Sequence, residues 1–334
     1  MKRNSYKIYS TPNVRVILIA SGGDNQLPAA NAYLIDDAVL TLIDTGCLWP
    51  DAERLFVQTF SALGRDIADL ENIIITHGHG DHYGLAKRLS NLSGANVYIH
   101  KNDIHKVTGT RVKEFNADFP SMRKFLLGMG MTGCEIDDTR DTVNSFSRSI
   151  EQLEDVEPVD DGYVFRLGKS CMKVVHCPGH TPGSSCFYDI NGGTLFTGDC
   201  LLPEQVSNAL IDPVFEKLGA YKSLASQLSS LKKVKGLPVN LAFPGHGGVL
   251  DDTRFEVDNA LRYFQELRED VIRLIGDQEI APADIARRID STLTGLNLYV
   301  KMSDVLGMLE ILAEEGLVES SVYNGGMIFK KKQF

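Results

Sequence analysis

The 334-residue chain contains no long apolar run, and nothing in it approaches the roughly 18 consecutive apolar residues of a membrane-spanning helix. Residues 1–6 also lack the apolar stretch that a secretory signal peptide would require. We therefore expect a protein that has no membrane segment and is located in the cytoplasm.

Paired cysteines, a serine nucleophile motif and an excess of basic residues are absent as well. The six cysteines are scattered without CxxC spacing, which argues for reduced thiols and against a disulfide framework or a cysteine zinc knuckle. No GxSxG string marks a serine hydrolase. Lys and Arg total 34 against 44 Asp and Glu, a formal charge of -10, so nucleic-acid binding would require a local basic patch and is disfavoured by charge.

The most informative segment of the chain is residues 76–82, which read THGHGDH and directly follow the apolar run 73–75. The side chains in this segment that can bind metal are His77, His79, Asp81 and His82. Imidazole and carboxylate groups are usual ligands of zinc, iron and manganese, and crowding them is costly unless a cation neutralises and organises them. The segment therefore predicts metal chemistry.

Strand-like and helix-like patterns alternate along the chain, which predicts a layered α/β fold. In the first half, strands are predicted at 14–20, 31–36, 39–44, 73–76 and 96–100, and helices at 50–63 and 83–92. In the second half, strands are predicted at 171–175, 185–189, 194–197 and 241–243, and helices at 216–231 and 253–275. Two halves of similar plan predict a four-layer sandwich with two central sheets.

Three further metal-type residues lie in glycine-rich loops that come after predicted strands: His180 in CPGHTPG, Asp199 in TGD and His246 in PGHG. A lone histidine is usually a hydrogen-bonded structural residue, but this grouping changes that expectation. In layered α/β folds, loops at the carboxyl ends of strands converge on a site. We therefore expect these side chains to lie at the same edge as residues 76–82.

The HxHxDH string followed in order by His180, Asp199 and His246 resembles the metallo-β-lactamase superfamily. The resemblance covers about residues 13–275 and implies an αβ/βα four-layer sandwich with two adjacent metal sites on one edge. It implies a first metal held by His77, His79 and His180, a second held by Asp81, His82 and His246, and a bridging Asp199. Asp44, in the segment DTG, matches a further family position and is expected to orient a ligand imidazole.

The expected cofactors are two divalent ions, zinc in the first place and iron or manganese as alternatives. Two such ions make water nucleophilic at neutral pH and polarise a substrate oxygen. The predicted reaction is hydrolysis by a water bridged by two metals, with Asp81 as the catalytic residue that moves a proton to the leaving group. By resemblance to glyoxalase II and to thioesterase-like members, the substrate is expected to be a small-molecule ester, thioester or lactone.

A helical insertion at about residues 101–160 separates the two halves. Its apolar residues at helical spacing are Phe115, Phe119, Met122 and Leu126, with Phe125 and Met129 beside them. Two interpretations stay open. The insertion is either a hydrophobic lid over the metal edge or an amphipathic hairpin packed on the body or on a second subunit.

Residues 277–334 form a second predicted domain after a first domain at 1–276. Helices predicted at 281–289 and 302–315 and a hairpin at 319–330 resemble a winged helix and the lactamase-like endoribonuclease branch of the superfamily. From Ala281 onward there are six basic and seven acidic residues, whereas a groove-reading element is normally basic. We therefore expect the tail to pack on the body or to form a homodimer.

Three alternatives to a small-molecule hydrolase remain open at this point. Through its tail, the chain resembles endoribonucleases that cleave single-stranded RNA. It also resembles regulatory members with weak residual hydrolase activity, and persulfide dioxygenases, which carry an HxHxDH loop but use one iron. The complete ligand set argues against the last two alternatives.

Overall fold

A computed structural model describes residues 6–12, 15–20, 30–147, 150–211, 221–323 and 326–332. Within them, seven strands form a first sheet in chain order. Their bounds are β1 Tyr6–Ser10, β2 Arg15–Ala20, β3 Asn31–Asp36, β4 Thr41–Ile43, β5 Asn72–Ile75, β6 Asn96–His100 and β7 Glu157–Val159. The first four strands are antiparallel, and β4 to β7 run parallel. Parallel strands are covered on both faces, which explains the uninterrupted apolar run at 73–75.

Five described strands form the second sheet, in the order β12-β11-β10-β9-β8. Their bounds are β8 Val164–Arg166, β9 Cys171–His176, β10 Ser185–Asp189, β11 Thr194–Gly198 and β12 Leu241–Pro244. The strands β10 and β11 form a hairpin, in which Gly193 has a φ of 68° that favours glycine. Because β12 joins β11 in parallel, both strands end at the same edge.

Helices cover the outer faces of the two sheets. Their bounds are α1 Ala52–Ala62, α2 Gly80–Tyr83, α3 Ala86–Ser93, α4 Ile104–Val107, α5 Thr110–Gly128, α6 Gly133–Ser147, α7 Ser223–Lys235, α8 Thr253–Leu274, α9 Pro282–Ile289 and α10 Gly295–Glu314. Phe56 of α1 and Leu89 of α3 are buried in one cluster with residues of the first sheet. Leu224 of α7 and Phe264 of α8 are buried in another cluster with residues of the second sheet.

The two sheets pack face to face through aromatic side chains. Tyr33 of the first sheet contacts Phe196 and Phe243 of the second, with ring centroids 5.5 and 5.2 Å apart. These residues belong to a buried cluster that contains side chains of both sheets. The layers therefore follow in the order helices, sheet, sheet, helices, which confirms the predicted αβ/βα four-layer sandwich.

The insertion between the two halves contains α4, α5 and α6. Its described apolar side chains join the core of the second half: Leu126 and Met129 are buried there, and packed against that core are Phe119, Met122 and Phe125. This arrangement agrees with the packing interpretation. The side chain of Phe115 lies outside the described part of the chain.

The C-terminal unit contains α9, α10 and the antiparallel hairpin of β13 Val318–Tyr323 and β14 Gly326–Lys331. The order of elements is the predicted one, although α10 begins at Gly295 rather than at residue 302. One buried cluster contains Leu267 and Val271 from before the predicted domain boundary and Leu298 and Phe329 from after it. The winged-helix and homodimer assignments stay predictions.

Several predicted elements differ in their ends. The helix predicted at 83–92 begins later, as α3 at Ala86, and the separate short helix α2 before it ends at Tyr83. The edge strand β1 does not follow from the sequence pattern. Predicted positions 14, 216–220 and 324–325 lie outside the described residues. Among the described helices, none is both long and apolar enough to cross a membrane.

Candidate metal centre

The side chains that can bind metal lie where strands of both sheets end at one edge. In the first sheet, Asp44 directly follows β4 and residues 77–82 follow β5. In the second sheet, Asp199 directly follows β11, His246 comes shortly after β12, and His180 lies in the turn between β9 and β10. Each half of the sandwich thus contributes part of the same site.

Three histidines form a first group of donor atoms. His79 Nδ1 lies 2.9 Å from His180 Nε2 and 3.1 Å from His77 Nε2. The three ligand atoms that they offer all lie within 4.8 Å of one another. Imidazole nitrogens at this spacing can surround one cation, as they do in zinc sites.

Asp81, His82 and His246 form a second group. His82 Nε2 lies 3.3 Å from His246 Nε2, which lies 3.2 Å from Asp81 Oδ2. The ligand atoms of this group also lie within 4.8 Å of one another. The side chain of His82 is fully buried, whereas those of Asp81 and His246 are 15% and 11% exposed.

Asp199 lies between the two groups. Its Oδ1 is 3.4 Å from His82 Nε2, and its Oδ2 is 3.5 Å from His246 Nε2 and 3.7 Å from His180 Nε2. Oδ1 is buried and accepts no hydrogen bond from the described part of the chain, which is costly without a cation. The structure therefore brings together all the residues that the sequence predicts as ligands, in two groups that share one carboxylate.

Burial and neighbouring charges shift the pKa values of these groups in opposite directions. Desolvation lowers the pKa of the His77 and His180 imidazoles. Burial also lowers the pKa of His246, but its hydrogen bonds with Asp199 and Asp81 outweigh this and raise that pKa to about 10. A cation would replace the proton on such an imidazole, since metal binding releases protons from its ligands. The donor set therefore fits divalent cations.

Asp44 orients the buried His82. One oxygen of the carboxylate, Oδ2, lies 2.8 Å from His82 Nδ1 and accepts the hydroxyl hydrogen bond of Thr76 at 2.8 Å. The other, Oδ1, accepts from the backbone amide of Thr76 at 2.8 Å. With Nδ1 bonded to Asp44, His82 presents Nε2 to the cluster, which is the position expected from the sequence resemblance.

Gly245 permits the close approach of the loop after β12. A Cβ at this position would lie 2.2 Å from Asp199 Oδ1 and 2.7 Å from His82 Cε1, so any side chain would displace both. The amide of Gly245 donates to the carbonyl of Gly198 at 2.8 Å, which holds the loops that carry Asp199 and His246 together. The glycine in PGHG is thus required by space at the centre of the site.

The amino-acid sequence of the chain matches a known protein family. The family model described as the metallo-beta-lactamase superfamily matches residues 26–246, which is more than half of the chain. The chain belongs to the metallo-beta-lactamase superfamily. This membership confirms the predicted family and the predicted class of enzyme, a metallo-hydrolase.

Relatives of this metallo-hydrolase match it over most of their length. It is 22% identical to the probable metallo-hydrolase YqjP of Bacillus subtilis, over 90% of this chain and 92% of that protein. It is 23% identical to the atrochrysone carboxyl ACP thioesterase nsrC of Aspergillus novofumigatus, over 92% of this chain and 81% of that protein. A metallo-beta-lactamase family protein of Thermus thermophilus has the same fold, with a TM-score of 0.79, 23% identity and coverage of 95% of this chain and 98% of that chain.

Asp103 is a residue of the site that the sequence pattern does not identify. Its Oδ2 accepts hydrogen bonds from the Gly78 amide at 2.8 Å and the Thr181 hydroxyl at 2.6 Å, and its Oδ1 accepts from the Gly183 amide at 2.8 Å. The carboxylate is fully buried. Gly78 lies between His77 and His79, and Thr181 follows His180. Asp103 therefore ties the loops of the first group together across the two halves of the sandwich.

Replacing Asp103 with asparagine is expected to lower the free energy of unfolding by about 2–4 kcal/mol. The side-chain NH₂ of asparagine would face a hydrogen-bond donor, where the carboxylate of Asp103 accepts a hydrogen bond. Urea denaturation of the metal-free protein measures this change. The exposed Asp141 offers a matched control, and Asp141→Asn is expected to stay within about 0.5 kcal/mol of the wild type. An Asp103→Asn protein as stable as this control would show that the carboxylate does not hold the two loops.

Proposed function

We propose that this metallo-hydrolase binds two divalent metal ions at the cluster and hydrolyses a small-molecule thioester. The observation that carries the proposal is the convergence of five imidazoles and two carboxylates at one edge, in two groups around Asp199. The name of the fungal relative, an acyl carrier protein thioesterase, supports a thioester as the bond that is cut. We propose zinc as the ion, because imidazole and carboxylate donors suit it, with iron or manganese as the ions that the same donors also accept.

The proposed ligand assignment follows the two groups of donors. One ion is held by His77, His79 and His180, the other by Asp81, His82 and His246, and Asp199 lies between them. When bound, such a pair of ions supplies a nucleophilic water at neutral pH and polarises a substrate carbonyl. The chain fixes where this happens, because Asp44 and the backbone carbonyl of Asn208 turn the rings of His82 and His180 toward the cluster.

Asp81 is the proposed proton carrier. In the metal-free protein, burial raises the pKa of Asp81, but the charge of His82 and the hydrogen bond with His246 outweigh burial and lower that pKa below its usual value, so the side chain is a carboxylate. The oxygen of this carboxylate that does not bind the ion takes the proton that the attacking water loses, and then donates it to the leaving thiolate. A thiol has a pKa of about 8.5, so the leaving group retains this proton at neutral pH.

A second candidate substrate is a single-stranded RNA phosphodiester, which the order of elements in the C-terminal unit favours. The charge of that unit opposes it, as does the pairing of Lys330 Nζ with Glu319 Oε2 at 3.1 Å, which neutralises part of the basic tip. A regulatory protein with weak hydrolase activity and a mononuclear iron persulfide dioxygenase are the remaining alternatives. Metal analysis and a substrate panel separate all of these.

Asp81→Asn is expected to lower kcat on an acyl thioester by about 10²- to 10³-fold, because the amide can neither carry the proton nor bind the second ion as the carboxylate would. The wild type and this variant are assayed on an acyl thioester, an aryl ester, an aryl phosphodiester, labelled single-stranded RNA and, in the presence of oxygen, a persulfide. Metal content is measured in parallel on protein purified without chelator, and we expect about two equivalents of zinc in the wild type. Asp141→Asn serves as the surface control and is expected to retain full activity.

Other outcomes of the same panel contradict the proposal in distinct ways. Cleavage of RNA alone, lost in Asp81→Asn, would identify a nuclease. A single equivalent of iron with oxidation of a persulfide would identify a dioxygenase. Two bound metals with negligible turnover of every substrate would identify a regulatory protein. A wild type with well under one equivalent of metal would remove the metal centre itself.

A further inference from the structure

The outer nitrogen of His180 is held by a loop and not by a strand or helix. His180 Nδ1 lies 3.1 Å from the backbone carbonyl of Asn208, while Nε2 lies 2.9 Å from His79 Nδ1 within the cluster. A carbonyl can only accept, so Nδ1 donates and Nε2 keeps its lone pair for a cation. The described residues around Asn208 have no regular secondary structure. The direction of the His180 ring therefore depends on whatever holds this loop.

The C-terminal helix α10 holds the loop at three points. Asp304 Oδ2 accepts from the side-chain amide of Asn208 at 2.7 Å, and Asp304 Oδ1 accepts from the backbone amide of Ala209 at 2.9 Å. Further along the loop, the hydroxyl of Tyr299 donates to the carbonyl of Ile211 at 2.8 Å. Asp304 thus bonds both the side chain of Asn208 and the peptide that follows it, and fixes the carbonyl that meets His180.

The burial of Asp304 indicates that its carboxylate serves this contact. It is fully buried on a helix whose neighbouring residues Val305 and Leu306 are core residues. Burial raises the pKa of the Asp304 carboxyl to about 6, whereas its hydrogen bonds from Ala209 and Asn208 lower that pKa. A carboxylate at such a position is costly unless donors satisfy it, and an apolar side chain would pack there without that cost. The two loop donors are the ones closest to it.

We propose that Asp304 is a positioning residue for His180, so that the C-terminal unit is a structural part of the metal centre. This inference rests on the proposed metal site. It places the unit two contacts from the first group of ligands, through Asn208 to His180. It also gives the tail a role in this chain that requires neither RNA nor a second copy.

The test is metal binding by Asp304→Asn, measured with cobalt(II) as the probe in the metal-free protein. The asparagine has the same shape but turns an amide group toward one of the loop donors. We expect cobalt affinity to fall about 10-fold at one of the two sites, the lower end of the loss that follows removal of a direct partner of a ligand histidine, because Asp304 acts through Asn208. The visible spectrum of the cobalt protein is expected to change, while far-ultraviolet circular dichroism stays that of the wild type.

Two further variants make the test specific. Ser303→Ala is the matched control, because Ser303 is also fully buried on α10 and its hydroxyl bonds only the carbonyl of Tyr299 among the described contacts. It is expected to bind cobalt like the wild type even if it melts at a lower temperature. Asn208→Ala removes the loop side of the same contact from a half-buried position, so it tests the inference if Asp304→Asn fails to fold. It is expected to lower cobalt affinity at the same site.

The outcomes separate this inference from the proposed function. If the wild type binds two cobalt ions and the folded Asp304→Asn and Asn208→Ala variants bind both within twofold of it, Asp304 does not position His180 and the metal site still stands. If Ser303→Ala loses as much affinity as Asp304→Asn, the effect is general destabilisation and the inference is wrong. If the wild type binds no metal, the proposed function and the inference fail together.

Discussion

Replacing Asp199 with alanine is expected to lower kcat for thioester hydrolysis by about 10³- to 10⁴-fold, equivalent to about 4–5.5 kcal/mol of activation free energy. Among the described residues, Asp199 is the one carboxylate within 3.7 Å of nitrogens in both groups, those of His82, His246 and His180. Without it, no carboxylate from the described residues would lie between the two groups of donors. We expect the variant to retain at most one metal ion, which elemental analysis of dialysed protein measures together with steady-state kinetics.

A buried aspartate distant from the centre provides the control for this experiment. Asp189 is as buried as Asp199 and accepts hydrogen bonds from the amides of Cys171 and Asn191 at the far end of β10. Asp189→Ala is expected to lose stability but to keep both metals and nearly full kcat. An Asp199→Ala protein that binds two metals and retains more than about a tenth of the wild-type kcat would contradict the bridging role.

Replacing Asp44 with alanine is expected to lower the free energy of unfolding by about 3 kcal/mol and to weaken metal binding at the second group. Asp44 has a φ of 56°, a left-handed conformation that costs alanine about 1 kcal/mol. The change also leaves the buried amide and hydroxyl of Thr76 without their acceptor, at about 1–3 kcal/mol. Finally, it frees Nδ1 of His82, so the ring no longer holds Nε2 toward Asp199 and His246.

Asparagine at the same position separates the backbone effect from the charge effect. Asp44→Asn tolerates the left-handed conformation, so we expect a loss of only about 1–2 kcal/mol in denaturant unfolding. Its metal affinity is nevertheless expected to fall about 10- to 100-fold, because an amide cannot polarise His82 as a carboxylate does. If Asp44→Asn binds metal as tightly as the wild type, the carboxylate does not tune His82, and only the conformation at residue 44 matters.

The elements around the site were predictable to different degrees. Strands β5 and β11 were predicted from short apolar runs, each followed closely by a residue able to bind metal. Both strands are present close to the predicted positions. The helix predicted at 83–92 begins at Ala86 instead, a boundary that the local sequence pattern does not report. The helical insertion had two interpretations because its sequence pattern is also local. An amphipathic face shows that a helix packs on something, and only the fold shows that Leu126 and Met129 join the core of the second half.

The sequence by itself determined the donor set, since the spacing of HxHxDH and the three glycine-rich loops is local information that a single chain carries in full. It also determined that the donors follow strands, and hence that they lie at one edge. Apart from Asp44, which the family resemblance implied, only the tertiary structure decided which groups hold those donors in place. Asp103 meets Gly78 and Gly183 from 25 and 80 residues away, and Asp304 meets Asn208 from 96 residues away. The reason is physical: a metal ligand is recognised by its own chemistry, whereas its hydrogen-bond acceptor is any buried oxygen that the packing of distant segments brings within reach.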